Sequence, residues 1–391
     1  MNIIIITAMF PPIRTGTSFY SANLAKALSD RGHNITIITL DNARAGSAKN
    51  MKYSVERIPA LHFPVKKILK HFRVCSLSPL SYIKINRITK HARADVILLI
   101  NHYLDIAFPA ILSSRVNKIP ILCSVGTQIQ SCNPMRNRIL NFFDKLICGN
   151  LVFPFCERII AWDNEIRRYL DDVHKEKFVN KYAIVNYGVN GDMAEFLGYN
   201  HDYSTHGQIL GIGAVSEQRS FISLVKAFSL IACDYPELRL KIIGHVYYDA
   251  AVKLAQTLGL EERIVFTGEI PHEKVLEELK NSDAYFVSLT AKYSGLGTAT
   301  IESMLMGIPV IANVPYDLLG GPVLKDMENI VLLDNIEPGL IADRLRLLIK
   351  RKNLRETIGK GARDFIAKHM NWRKVALDME ILLKDVVDEF K

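Results

Sequence analysis

Apolar residues in this chain come in short β-branched blocks that alternate with helical stripes. Ile3 to Ile6 is a continuous apolar block, the pattern of a parallel strand covered on both faces. A loop with Pro11, Pro12 and Gly16 follows. Phe19, Leu24, Ala27 and Leu28 then mark a helix that ends near Arg31, with Gly32 placed to cap it. Ile35 to Leu40 reads as the next strand. The chain thus opens with a βαβ unit, which predicts a parallel sheet. Further strands are expected at Val96–Ile100, Ile119–Val125, Arg158–Trp162 and Tyr182–Val185.

The pattern changes between Gly188 and Gly207, where the chain is polar, glycine-containing and poor in aliphatics. That composition reads as a linker region. A second βαβ series follows it. Strands are predicted at Ile209–Ile212, Leu238–Ile243, Ile264–Thr267, Ala284–Ser288 and Val310–Ala312. Helices are predicted at Ser220–Ile231, Tyr248–Leu258, Glu273–Lys280, Glu337–Lys350, Leu354–Lys368 and Trp372–Lys391. The expected architecture is α/β, with two Rossmann-like doubly wound domains facing across a cleft. Residues 1–190 form the first, 191–207 the linker and 208–370 the second. Ligands in such sheets sit at the carboxyl ends of the strands.

Composition narrows this picture in two ways. The six cysteines show no CxxC spacing and no metal-like clustering with histidine, which argues for free thiols in a reducing compartment. The N-terminal apolar run lacks a basic region before it, so it is not a signal peptide, and no stretch reaches spanning length. A cytoplasmic protein, soluble or peripheral, is expected.

Charge adds a partner. The net charge is +9, and between Glu56 and Asp95 nine Lys/Arg occur with no acid. Within that window Val65, Ile68, Leu69 and Phe72 share one helical face, while Lys66, Lys67, Lys70 and Arg73 take other positions. This is the pattern of a basic amphipathic helix on an anionic membrane surface, and equally of an ordinary helix packed on its own domain. No nucleic-acid-binding module accompanies the basic patch, so nucleic acid is not an expected partner.

The segment with the most chemistry is Ser294 to Asn313. A glycine-spaced turn feeds a short helix with Glu302 in its middle, and a Gly-Ile-Pro break leads to a strand. Backbone N–H groups of Gly295, Leu296, Gly297 and Thr298 would face a phosphate at the helix start, where the dipole favours anions. The same segment also fits one more βαβ crossover with no ligand.

With these motifs in order, the chain resembles the family 4 glycosyltransferases of the GT-B fold. The resemblance rests on the opening strand, Pro-Pro loop and Arg31-Gly32-His33 strand start. It rests also on Asn186-Tyr-Gly-Val189, the ILGIGAVSEQRSFISLVKAF segment, Lys241-Ile-Ile-Gly244, Thr267-Gly268 and Asn371-Trp372. The resemblance implies transfer of a sugar from a nucleotide-sugar donor to an acceptor, with retained anomeric configuration and no bound metal or cofactor. It implies that the second domain holds the donor, that the first holds the acceptor, and that residues 371–391 form a crossover helix returning to the first domain.

Carried over residue by residue, the resemblance gives Arg219 to the donor phosphate and Glu302 to the nucleotide ribose. A carboxylate suits that task because it accepts from two neighbouring hydroxyls. Gly16 lets the backbone of the first domain approach the donor. His102 is the candidate to hydrogen-bond acceptor or donor hydroxyls, or is simply structural. Three positions lack the group usual in the family. Ala214 stands for an arginine, Ser294 for a sugar-binding acid and Gly126 for a histidine. The implied function is a membrane-associated transferase that extends a lipid-linked glycan of a surface polysaccharide. The alternative is a non-catalytic subunit of the same fold that binds a nucleotide or partner.

Overall fold

The computed structural model of the protein describes residues 1–13, 15–41, 52–62, 73–103, 105–131, 133–189, 198–204, 207–217, 219, 221–287 and 295–391. They form two compact units, Met1–Gly188 with Trp372–Lys391, and Val189–Asn371. The chain is mixed α/β, as expected.

Unit 1 begins with β1 (Asn2–Thr7), α1 (Gly16–Asp30), β2 (Asn34–Leu40) and β3 (Ser54–Ile58). A two-stranded hairpin, β4 (Leu61–His62) with β5 (Arg73–Val74), and α2 (Pro79–His91) lead to β6 (Val96–Ile100). Then come α3 (Ala107–Asn117), β7 (Ile121–Val125), α4 (Pro134–Phe143) and a π-helix over Asp144–Val152. The unit continues through β8 (Arg158–Ala161), α5 (Asn164–His174) and β9 (Tyr182–Ile184). Its main sheet runs β3-β2-β1-β6-β7-β8-β9, with every pairing parallel. Strand order reverses between β1 and β6, so this unit's binding crevice lies at the carboxyl ends of those two strands.

Unit 2 repeats the scheme. Its strands are β10 (Gln208–Ile212), β11 (Arg239–Ile243), β12 (Ile264–Gly268), β13 (Ala284–Val287), β14 (Val310–Ala312) and β15 (Val331–Leu332), in the order β12-β11-β10-β13-β14-β15. The helices are α6 (Ile222–Ile231), α7 (Ala250–Thr257), α8 (His272–Lys280), α9 (Thr298–Leu305), α10 (Pro338–Lys350) and α11 (Lys352–His369). The order reverses between β10 and β13, which puts α6 and α9 at the crevice.

The last helix, α12 (Trp372–Phe390), packs in unit 1, as expected for a returning helix. Its stripe Val375, Ala376, Met379, Leu383 and Val386 joins the core of β1, β2 and α1. Each of these side chains except Ala376 stabilises by about 1.5–3 kcal/mol on full burial. The Glu380 carboxylate accepts from Arg31 and Lys384 beside this core. The Asn186–Val189 and Asn371–Trp372 motifs also find a shared purpose. Trp372 covers Gly188, where an added Cβ would lie 2.7 Å from the ring, and the Val189 N–H donates to the Met370 carbonyl.

Several boundaries move for local reasons. The strand expected from Ile119 starts at Ile121, because Lys118 is left-handed and Pro120 lacks an N–H. The helix expected from Ser220 starts at Ile222, after a left-handed Phe221. Of the expected linker, residues 198–204 are partly packed into unit 2. His201 and Tyr203 are buried, and the Tyr203 carbonyl accepts from the Arg355 guanidinium.

The start of α5 yields a pH prediction. Asp163 caps the helix by accepting from the Ile166 N–H at 2.8 Å. Burial pushes its carboxyl up to about 6, against that hydrogen bond. A raised carboxyl favours the protonated native state, so its ionisation costs stability above pH about 6. The cost fades as pH falls toward the unfolded value of about 3.9. Asp163→Asn keeps the cap without the charge. The expected gain is about 1–3 kcal/mol at pH 8, vanishing near pH 4, read from thermal melts at both pH values. An equal or absent gain at the two pH values overturns this assignment.

Candidate active site

In unit 2 the crevice is built from the ends of three strands. Gly213 follows β10 with φ +139°, and Gly244 follows β11 with φ +145°. A Cβ on Gly244 would lie 2.2 Å from the Gly213 carbonyl oxygen, so the two backbones touch. Arg219 folds back over this point. A Cβ on Gly213 would lie 2.0 Å from an Arg219 Nη, and a Ser216–Arg219 turn, hydrogen-bonded both ways at 3.1 Å, fixes the loop. No described residue pairs with the Arg219 guanidinium, which leaves a half-buried cation at the strand ends. Ala214 is exposed beside it.

The second wall is α9. Gly297 is its N-cap and supplies no side-chain hydrogen bond, so the first-turn N–H groups keep their capacity to bind an anion. Thr298 is exposed at that end, and Leu296 is buried beneath it. One turn on, Glu302 is only 5% exposed. Its Oε2 lies 3.1 Å from Nε2 of His272, the first residue of α8, whose side chain is 57% exposed. Burial pushes the Glu302 carboxyl up, and His272 opposes that shift. A buried carboxylate with one cationic or N–H partner has capacity left for further donors. The sequence reading missed His272. Its signal was a polar residue just past the Thr267-Gly268 turn, at a carboxyl strand end.

In unit 1 the corresponding edge gathers Gly16, Thr17, Asn101 and Gly126. Thr15 caps α1 by accepting from the Ser18 N–H, and nothing within 4 Å faces Gly16 where a side chain would be. Asn101 was also missed. Its amide donates to Thr17 Oγ1 at 2.9 Å and accepts from the Gly126 N–H at 3.4 Å, joining the start of α1 to the ends of β6 and β7. Gly126 lies under Trp162. That ring stacks on Tyr20 at 4.0 Å and donates from Nε1 to Ser124 at 2.8 Å. A Cβ on Gly126 would sit 2.2 Å from the Trp162 ring.

His102 is a correction. Its side chain is 0% exposed and turns into the core, not toward a crevice. It stacks on Phe153 and lies 3.4 Å from Asp144 Oδ1. The basic segment fares differently. Lys66, Lys67 and Lys70 lie outside the described residues, as does Ser294. Arg73 belongs to β5 and donates to the Asp41 carbonyl, so strand pairing and this bond engage the one described member of that group.

Residues 14–190 match Glycosyltransferase Family 4, and residues 200–365 match Glycosyl transferases group 1. The chain is a family 4 glycosyltransferase of the GT-B fold. An uncharacterized glycosyltransferase of Methanocaldococcus jannaschii is 26% identical over 65% of this chain and 64% of that protein. Among solved structures, the Anabaena protein HepE in complex with UDP and glucose superposes with a TM-score of 0.67. That pair shares 16% identity and covers 98% of this chain and 99% of HepE. WaaG, a glycosyltransferase involved in lipopolysaccharide biosynthesis, gives a TM-score of 0.59 at 12% identity, over 100% of this chain and 99% of its own.

For this glycosyltransferase, the glycine at position 126 has a steric reason. Trp162 takes the volume a histidine would need, so the site differs from the family pattern by repacking, not by a simple vacancy. Gly126→Ala is expected to cost about 3 kcal/mol in denaturant unfolding, because the Tyr20 stack and the Ser124 bond hold the indole in place. A cost below about 0.5 kcal/mol would show that the ring moves freely.

Proposed function

We propose that this glycosyltransferase moves a sugar from a nucleotide-sugar to a lipid-linked glycan at the inner face of an anionic membrane, within surface polysaccharide biosynthesis. The observation that carries the donor half is Glu302, buried one turn into a helix whose N-terminus is free of a side-chain cap. That spacing suits a ribose on the carboxylate and a diphosphate on the N–H groups of Gly295 to Thr298. Arg219 would add fixed positive charge where the leaving phosphate develops negative charge, a task that needs no metal. HepE, a protein of like fold, is seen with UDP, which makes uridine nucleotides the first to try.

The reading of the chemistry is retention of anomeric configuration, with the departing phosphate accepting the acceptor's proton. This fits a crevice where His102 is buried and Gly126 lies under Trp162. Thermal shift with a panel of nucleotides and nucleotide-sugars tests the donor. No stabilisation at millimolar concentration by any of them would sink it. Nuclear magnetic resonance of the product's anomeric signal tests retention, and nucleotide binding without any turnover would favour the non-catalytic alternative.

Support for the membrane half comes from α4 and the π-helix after it. None of the ten residues of α4 is buried. Met135, Ile139, Phe142, Phe143, Leu146 and Ile147 follow helical spacing and are all exposed, Met135 at 75% and Phe142 at 59%. Arg136, Arg138 and Lys145 are exposed among them. An apolar stripe with a basic rim is the chemistry of an anionic lipid surface. No helix among the described residues is long and apolar enough to cross a membrane.

A further inference from the structure

Beneath the exposed stripe lies a cluster that sugar transfer does not use. The π-helix places Asp144 and Cys148 four residues apart on its inner face, against the end of β6 where His102 sits. One donor atom from each of His102, Asp144 and Cys148 lies within 4.8 Å of the others, and all three residues are buried. Both ring nitrogens of His102 lack a hydrogen-bond partner, as does Asp144 Oδ1, although His102 Nε2 and Oδ1 are only 3.4 Å apart. The other carboxylate oxygen is engaged. Asp144 Oδ2 accepts from the Tyr169 hydroxyl at 2.5 Å and lies 3.7 Å from His174 Nε2, itself without a hydrogen bond.

Unpartnered polar atoms this deep are costly, and here they converge on one point. We propose that His102, Asp144 and Cys148 hold a structural zinc ion. The donor set of one nitrogen, one oxygen and one sulfur is the mixture zinc accepts. Bonds of about 2.0–2.3 Å in a tetrahedron place donor atoms roughly 3.3–3.6 Å apart, so the 3.4 Å between His102 and Asp144 already fits. The Cys148 thiol, which donates to the His102 carbonyl at 3.6 Å, would turn from that oxygen to the ion. His174 Nε2 is the nearest candidate for the fourth position. Tyr169 on Oδ2 acts as the outer partner that orients a ligating carboxylate.

The charges fit a buried site. A thiolate and a carboxylate offset the dication, and both histidines bind neutral. His174 lines a surface cavity of about 430 Å³ with Phe142, Lys145, Leu146, Gly149 and Val173. A bound ion would lock the π-helical turn to the end of β6 and so fix the base of the exposed stripe. Helical turns of this kind recur at functional sites. The earlier expectation of no metal concerned the transfer chemistry and the spacing of residues along the chain. This site is assembled from β6 and the π-helix, far apart in sequence.

The test uses the full chain with Cys132→Ser and Cys233→Ser, which removes the exposed thiol and one outside the described residues. Cobalt is added to the chelator-treated protein. About one equivalent should bind, with tetrahedral d–d bands and a thiolate-to-cobalt charge-transfer band. Zinc should displace it and raise the melting temperature by about 5 °C. Cys148→Ser should lose the charge-transfer band, and His102→Asn should weaken uptake at least tenfold, about 1.4 kcal/mol. The thiolate band of the parent double variant stands even if either further substitution prevents folding. No stoichiometric uptake, uptake without a thiolate band, or a band unchanged in folded Cys148→Ser overturns the proposal in favour of a metal-free polar network.

Discussion

Replacing Glu302 by alanine is expected to weaken nucleotide affinity by roughly 30- to 150-fold, about 2–3 kcal/mol, the size of charged hydrogen bonds lost from a buried site. The carboxylate sits on an eight-residue helix that the crevice uses as its wall, so its position is set by backbone. Glu302→Gln keeps the shape and one acceptor, and its expected loss is about tenfold. The pH profile adds an independent check. Burial raises the Glu302 carboxyl, so affinity is full above that raised value and falls as pH drops through it. The decline should begin at higher pH than an exposed glutamate would give, and it should be absent in the glutamine variant. Calorimetric titration of both variants across pH reads both effects. Unchanged affinity in the two variants would remove Glu302 from the site.

The second large effect concerns the membrane. The wild-type protein is expected to float with anionic liposomes, and Phe142→Ser with Leu146→Ser should reduce partitioning by about 100-fold. Each of these side chains is about half exposed, so each contributes roughly half of the about 1.5–3 kcal/mol of full burial when it enters an apolar layer. Raised salt should weaken binding without abolishing it, because the basic rim contributes about 1 kcal/mol per charge near the surface. Lys66→Glu, Lys67→Glu and Lys70→Glu provide the comparison. If they abolish flotation while the Phe142 and Leu146 changes do nothing, the contact lies in the earlier basic segment. If the stripe instead joins two copies of the chain, sedimentation will show a concentration-dependent dimer that the serine variant loses, and flotation will be absent.

Much of the fold was legible because a parallel strand covered on both faces must be a continuous apolar block. Val96–Ile100 and Val310–Ala312 were read without error for that reason, and β1 and β10 nearly so. Short strands with exposed faces were not. β3 carries Glu56 and Arg57 at the sheet edge and forms no block, while β15 pairs over only two residues of the apolar run Ile330–Leu333. Helices α2 through α5 were missed for a different reason. Strand blocks dominate the apolar pattern of unit 1, and α4 has no buried face to anchor a helical period to a core.

The candidate site divides along similar lines. Glu302 was legible because a lone acid in an apolar helix after a glycine turn is costly unless it meets donors. Arg219 was legible by position in the loop after β10. His272 and Asn101 were not, because each acts through a partner on a helix distant in sequence, and no spacing along the chain encodes that approach.

The amino-acid order alone determined two parallel α/β sheets, the helix that closes the chain and the glycine turn before Glu302. These depend on local period, chain geometry and residue size, which are written in consecutive positions. The tertiary structure decided which stripes face water and which polar groups meet. Met135 to Ile147 carries apolar residues at the spacing of a core helix, and only their exposure among the described residues makes the stripe a surface. His102 reads like a strand-end ligand, and only Phe153 and Asp144 turn it inward. Burial is a property of neighbours brought together from distant positions, so the sequence pattern constrains it but does not fix it.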